Sequence, residues 1–148
     1  MTLLRQAVAI GLGWVPRLVG CLLLVAAMLK GSSTLLGQVV ANTEPAWGGP
    51  WAQIALVEIE FVLGMALLLY PRHPLLRVAA MLLFSMFIVA LVFMLREGRT
   101  SCSCGGGWIR ISPWVALAVD FCAVGLLAAG LAFEARLRAP AVVASPVP

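Results

Sequence analysis

The sequence predicts an all-α integral membrane protein, a four-transmembrane-helix bundle with both termini cytoplasmic. Three observations carry that expectation. The 148 residues are 63% hydrophobic and only 11% charged, with mean hydropathy +1.07, whereas a soluble domain keeps about a quarter of its residues charged. Four apolar segments each approach the ~20 residues that a spanning helix needs. The Lys and Arg residues are shared unevenly between the segments that flank those spans. The formal charge of +4 matters through this distribution, and no basic patch with interleaved aromatics suggests a nucleic-acid partner.

The spans are expected at about 15–36, 51–70, 75–95 and 113–133. The first, Val15 to Leu36, carries Pro16 and Arg17 at its start and Lys30 inside. Leu18 to Leu29 has the length of a signal-peptide core, but Lys30 stands where the small residues of a cleavage site belong, so the segment is expected to be retained. The second span, Trp51 to Tyr70, follows Gly48-Gly49-Pro50 and contains Glu58 and Glu60. Pro71 and Pro74 mark a tight break before the third, Leu75 to Leu95, whose one charge is Arg77. The fourth, Pro113 to Phe133, contains Asp120. Residues 1–138 form one domain. Ala139 to Pro148 is rich in Pro, Ala and Val without helical periodicity and is expected to be a disordered tail.

Orientation follows from the short flanking segments. Arg5, Arg17, Arg72, Arg77, Arg136 and Arg138 fall on one side; Arg96, Arg99 and Arg110 fall on the other. The positive-inside rule then puts both termini in the cytoplasm. The first loop, Gly37 to Pro50, and the loop from Arg96 to Ser112 face outward. That side is expected to be the periplasm, where a disulfide persists. Trp47, Trp51, Trp108 and Trp114 gather at the same boundary, as an interfacial aromatic belt does.

The outward loop holds Cys102-Ser103-Cys104. Zinc needs about four ligands, and the single histidine, His73, is expected on the opposite face. Cu(I) suits thiolates, but no Met or His stands beside them in the loop. A purely structural bridge between residues this close constrains almost no chain. A redox pair fits better: a bridge over so short a spacing is strained, and strained bridges are easily reduced. Arg99 and Arg110 would favour the reactive thiolate, and Gly105-Gly106-Gly107 gives the loop freedom to admit a partner. Cys21 and Cys122, inside spans, read as small apolar residues. Gly20, Gly64, Gly125 and Gly130 read as sites of close helix packing.

Charges inside spans are costly and mark functional candidates. Lys30 lies six residues before the outer end of its span; Glu58 and Asp120 each lie seven after the outer ends of theirs. At 1.5 Å per residue all three sit about 10 Å below the outer surface, under the cysteines. Glu60 is one level deeper. Glu58 and Glu60 point to different helix faces, so they cannot both address one partner equally well. One reading is an ion pair that fixes the bundle register. The other is a proton-handling or cofactor-headgroup site, since disulfide chemistry coupled to a quinone moves two protons with two electrons. The candidates for that layer are Lys30, Glu58, Glu60, Asp120 and the boundary residue Trp114.

A Lys late in the first span, Glu-x-x-Leu-Gly from Glu60 to Gly64, a third span ending near Arg96, Cys-x-Cys-Gly at Cys102, and Ile111-Ser112-Pro113-Trp114 followed by Asp120 together resemble the MauE branch of the DoxX-like membrane proteins. The likeness covers nearly the whole chain except the first dozen residues and the tail. Members commonly have Cys-x-Cys-Phe-Gly; here Gly105-Gly106 follows Cys104, which removes the aromatic at that position. The resemblance implies a bacterial inner-membrane factor for periplasmic disulfide chemistry. MauE proteins are associated with maturation of methylamine dehydrogenase, and DoxX relatives with quinone-coupled oxidation of sulfur compounds. Carried over, Cys102 and Cys104 are the redox pair, while Lys30, Glu60 and Asp120 line the polar interior. The plan is also similar to disulfide generators of the DsbB and vitamin K epoxide reductase type. Those relay through a second cysteine pair, and residues 37–50 contain no cysteine.

Three functions remain for the structure to address. The first is a membrane thiol–disulfide oxidoreductase exchanging with a periplasmic thioredoxin-like or disulfide-containing protein, with quinone as candidate cofactor and no metal. The second is a non-catalytic maturation factor for a periplasmic redox enzyme such as methylamine dehydrogenase. The third is a small transporter using the Lys–carboxylate layer, against which the absence of internal repeats argues.

Overall fold

The computed structural model describes residues 2–35, 49–98, 102–105 and 109–138, with side chains over 13–32, 51–98 and 111–136. Its elements are α1 (Thr2–Leu35), α2 (Gly49–Leu69), α3 (Pro74–Arg96), β1 (Cys102–Gly105), β2 (Ile109–Ile111) and α4 (Pro113–Arg138). All four helices are long and apolar enough to cross a membrane. The expected tail at 139–148, Arg99, Trp47 and Trp108 lie outside the described residues.

Local chemistry sets the breaks. Helix α2 ends before Pro71, and His73 N–H donates to the Tyr70 carbonyl across the turn. Pro74 then opens α3, where its missing N–H costs no helical bond. At the other end of α3, Gly98 adopts φ 73°, a left-handed conformation that glycine takes without penalty, and its N–H reaches the Leu95 carbonyl. Ser112 precedes α4, and its carbonyl accepts from Val115 and Ala116. Helix α1 begins well before the expected Val15, which makes Pro16 an interior residue. Helix α4 runs past Phe133 into its charged end.

Successive helices run antiparallel, so both ends of the described chain lie at one end of the bundle and the cysteine segment at the other. Helix α1 packs chiefly on α2, and α3 chiefly on α4. The α1–α2 crossing is close because both helices present glycine there. A Cβ on Gly20 would lie 2.8 Å from the Gly64 carbonyl oxygen, and one on Gly64 would lie 2.9 Å from that of Gly20. Gly125 has no such neighbour. The shared core is apolar: Val19, Leu23, Leu63, Leu67, Leu83 and Leu127 are among its buried members. Outward stand Leu18, Val25, Met28, Val62, Leu82 and Met86. Such continuous exposed apolar surface suits hydrocarbon, not water, and the protein is a membrane protein.

One local element was not foreseen. The outward segment, expected as a polar loop, forms a two-stranded antiparallel hairpin. Cys102 pairs with Ile111 and Gly105 with Ile109, with an irregularity in register between them. Gly105, read as part of a free loop, instead ends strand β1, while Gly106 and Gly107 lie outside the described residues. Strand β1 also approaches α1.

Candidate functional site

The hairpin caps the end of the bundle at which three ionisable residues converge from three helices. Side chains on an α-helix lean toward its N-terminus. Lys30, near the C-terminal end of α1, therefore leans into the bilayer. Glu60 of α2 and Asp120 of α4 lean up toward the hairpin, because their helices start at that end. Opposed tilts bring together groups whose Cα atoms differ in depth, and the long Lys stem spans the difference.

Lys30 Nζ donates to Glu60 Oε1 and forms an ion pair with it. The ammonium also lies 5.0 Å from the centroid of the Phe87 ring, on α3, within cation–π range. Phe87 is held in turn by an edge-to-face contact with Phe84, centroids 6.3 Å apart. Glu60 is 0% exposed and Asp120 is 9% exposed. Asp120 lies close enough for the charges of both Lys30 and Glu60 to act on it. All four helices thus supply a group. Glu60 Oε2 is buried with no hydrogen-bond partner among the described residues. An unsatisfied buried carboxylate oxygen is expensive, so it marks where a donor or a proton is wanted.

The expected layer is thus divided by the structure. Lys30, Glu60 and Asp120 come together; Glu58 does not, and stands exposed on the other side of α2. A separation of two residues turns the helix by about 200°, so only one of the two glutamates can face inward. Trp114 is 67% exposed at the hairpin end and does not enter the cluster. Cys102, Cys104 and Arg110 are placed by their strands alone. Cys21 and Cys122 are free and exposed on the outer faces of α1 and α4. No group of three or more metal-ligating side chains occurs among the described residues.

Sequence reasoning missed two features. Phe87 carries no signal beyond its aromatic ring, and only packing reveals it beneath Lys30. The second is an ion pair at the opposite end: Arg77 Nη1 lies 2.7 Å from Glu134 Oε1, and Arg77 Nε donates to the Pro71 carbonyl at 2.8 Å. Arg77 had been read only as an orienting charge. The same counting along the helices also places Arg77 and Glu134 at one level, each at the end of its helix remote from the hairpin.

Comparison with known families uses the whole arrangement. The family model described as "Methylamine utilisation protein MauE" matches residues 5–133, which takes in all four spans, the hairpin and the polar cluster. The chain belongs to the MauE family. Among curated proteins and among solved structures the comparisons found no match.

Proposed function

We propose that this protein is a membrane thiol–disulfide oxidoreductase that serves methylamine utilisation, with Cys102 and Cys104 as its exchanging pair. The observation that carries the reading is the stacking of two features at one end of the bundle. A hairpin strand bearing both cysteines sits over a buried cluster with one ammonium, two carboxyls and an unsatisfied oxygen. Family membership supports the biological setting. The hairpin faces the periplasm of a bacterial inner membrane in this reading, as the flanking arginines indicate.

The chemistry balances as an exchange. A thiolate of the partner protein attacks the Cys102–Cys104 disulfide and forms a mixed disulfide, releasing one thiolate. The partner's second thiolate attacks the mixed bond, which leaves the partner oxidised and Cys102 and Cys104 reduced. Re-oxidation of the pair requires removal of two electrons and two protons. Quinone is the acceptor class that takes both, becoming quinol. In this reading Glu60 Oε2 would accept from the hydroxyl of a quinol, and the Lys30 ammonium would donate to a carbonyl oxygen. Glu60 and Asp120 accept and release protons near the pair. Arg99 and Arg110 hold the thiolates in their ionised form. The same chain of events runs in reverse if the physiological partner needs reduction.

The second reading is a maturation factor that docks a periplasmic redox enzyme such as methylamine dehydrogenase without turning over. The family description favours it as much as the first. Turnover separates them. Purified protein in lipid vesicles, supplied with a reduced thioredoxin-fold protein and a short-chain quinone, should consume two thiols for each quinone reduced to quinol. Cys102→Ser and Cys104→Ser should each fall to background, and one of them should accumulate the mixed disulfide. Full activity in either single variant contradicts the oxidoreductase reading.

A further inference from the structure

Glu58 belongs to neither polar region of the bundle. It is exposed, and no hydrogen bond or ion pair reaches it among the described residues. It lines a groove of ≈ 290 Å³ between α1 and α2, with Ala27, Met28, Val57, Phe61 and Val62 as the other walls. Counting from Trp51, where the apolar span begins, its Cα lies about 10 Å into the span. A carboxyl group therefore opens sideways into hydrocarbon from an otherwise apolar trough. Lipid chains fill such a trough but offer the carboxyl no hydrogen bond, and ionisable groups at that depth are found paired.

Charge complementarity selects the occupant. A second copy of this chain docked by two-fold symmetry would bring Glu58 against the same face of its neighbour, with two like groups and no cation to answer them. A helix carrying Lys or Arg meets both requirements. Its ridge of side chains fills the groove between two helices, and its cation meets the carboxylate. Inside the bundle the protein already uses this solution, since Glu60 is met by Lys30. We propose that the α1–α2 groove docks a transmembrane helix of another membrane protein, which places a Lys or Arg at the depth of Glu58. The hairpin then stays open to its soluble partner, because the groove opens on the side of the bundle.

The test uses the full chain, donor-labelled near its C-terminus, in zwitterionic vesicles with an acceptor-labelled polyleucine helix as probe. One probe carries a single Lys at the matching depth, a second carries Asp there, and a third is leucine throughout. Energy transfer should report association of the Lys probe, roughly threefold to twentyfold tighter than that of the all-leucine probe, the range that one interhelical polar contact gives in lipid. Glu58→Gln should remove that advantage. Glu58→Lys should lose the Lys probe and gain the Asp probe, a charge swap that no misfolded bundle would produce. Equal association of the Lys and leucine probes, no effect of Glu58→Gln, or no recovery in the swap overturns the proposal. So does self-association of the protein that depends on Glu58.

Discussion

The bundle sets two cations against carboxylates, one at each end, and the two sites are built differently. At the end bearing the termini, Arg77 is 2% exposed, and Glu134 takes one guanidinium nitrogen and the Pro71 carbonyl another. Glu134 itself stays 35% exposed, so it can keep water on its second oxygen. This pair ties α3 to α4 and to the turn before α3, and among the described residues it leaves no buried polar atom without a partner. At the hairpin end, one ammonium faces two carboxyls, and a buried oxygen of Glu60 has no partner among the described residues. A structural clamp has no need of a surplus acid. The difference teaches that satisfaction of the polar groups, more than burial, separates the brace from the candidate site.

Substitutions can break or sharpen this contrast. The largest effect should follow Lys30→Met, which leaves Glu60 and Asp120 buried without their cation. A loss of about 3–5 kcal/mol is expected, read by reversible unfolding in mixed micelles. Lys30→Met combined with Glu60→Met should recover most of that loss while thiol-coupled turnover stays absent; a double variant as unstable as the single would mean that the cluster is simply another brace. Arg77→Met comes next, at about 1–3 kcal/mol, because Glu134 can turn to water when its partner goes. Its turnover per folded molecule should match the parent. Glu60→Gln should cost about 1 kcal/mol or less, since the amide oxygen still accepts from Lys30, yet it should slow turnover strongly by removing the acid. Glu134→Gln should be the mildest, within about 1 kcal/mol for a partly exposed pair, with unchanged turnover. A matching fall in turnover for both glutamine variants would erase the distinction between the two ends.

Much of this was legible in the residues, for reasons that can be stated. The four spans are long uninterrupted apolar runs, and length with hydropathy suffices to find them. Gly20 and Gly64 were readable as close-packing sites because small residues let membrane helices approach, and a Cβ on either would crowd the carbonyl oxygen of the other. Depth counting grouped Lys30 with Glu58 and Asp120 and set Glu60 one level deeper. It could not show that Glu60 faces inward and Glu58 does not, because helical phase decides which of two residues faces inward, and the phase depends on how α2 packs on α1. Neither could it foresee that opposed side-chain tilts let Lys30 reach the deeper Glu60. The hairpin was missed because three consecutive glycines read as slack. Ile109 and Ile111 carried a strand signal that the glycines masked. Arg77 was read for its charge alone, and its partner Glu134 lies fifty-seven residues away in sequence, beyond the reach of any local pattern.

The most direct test of the central claim is the redox potential of the Cys102–Cys104 pair in native membranes, followed by the mass shift on thiol alkylation across a glutathione series. The account predicts a reversible two-electron transition with an oxidising midpoint, lost in Cys102→Ser and in Cys104→Ser. Thiols that stay reduced throughout the series, or that resist alkylation because a metal ion protects them, would contradict it and leave the assembly-factor reading in its place.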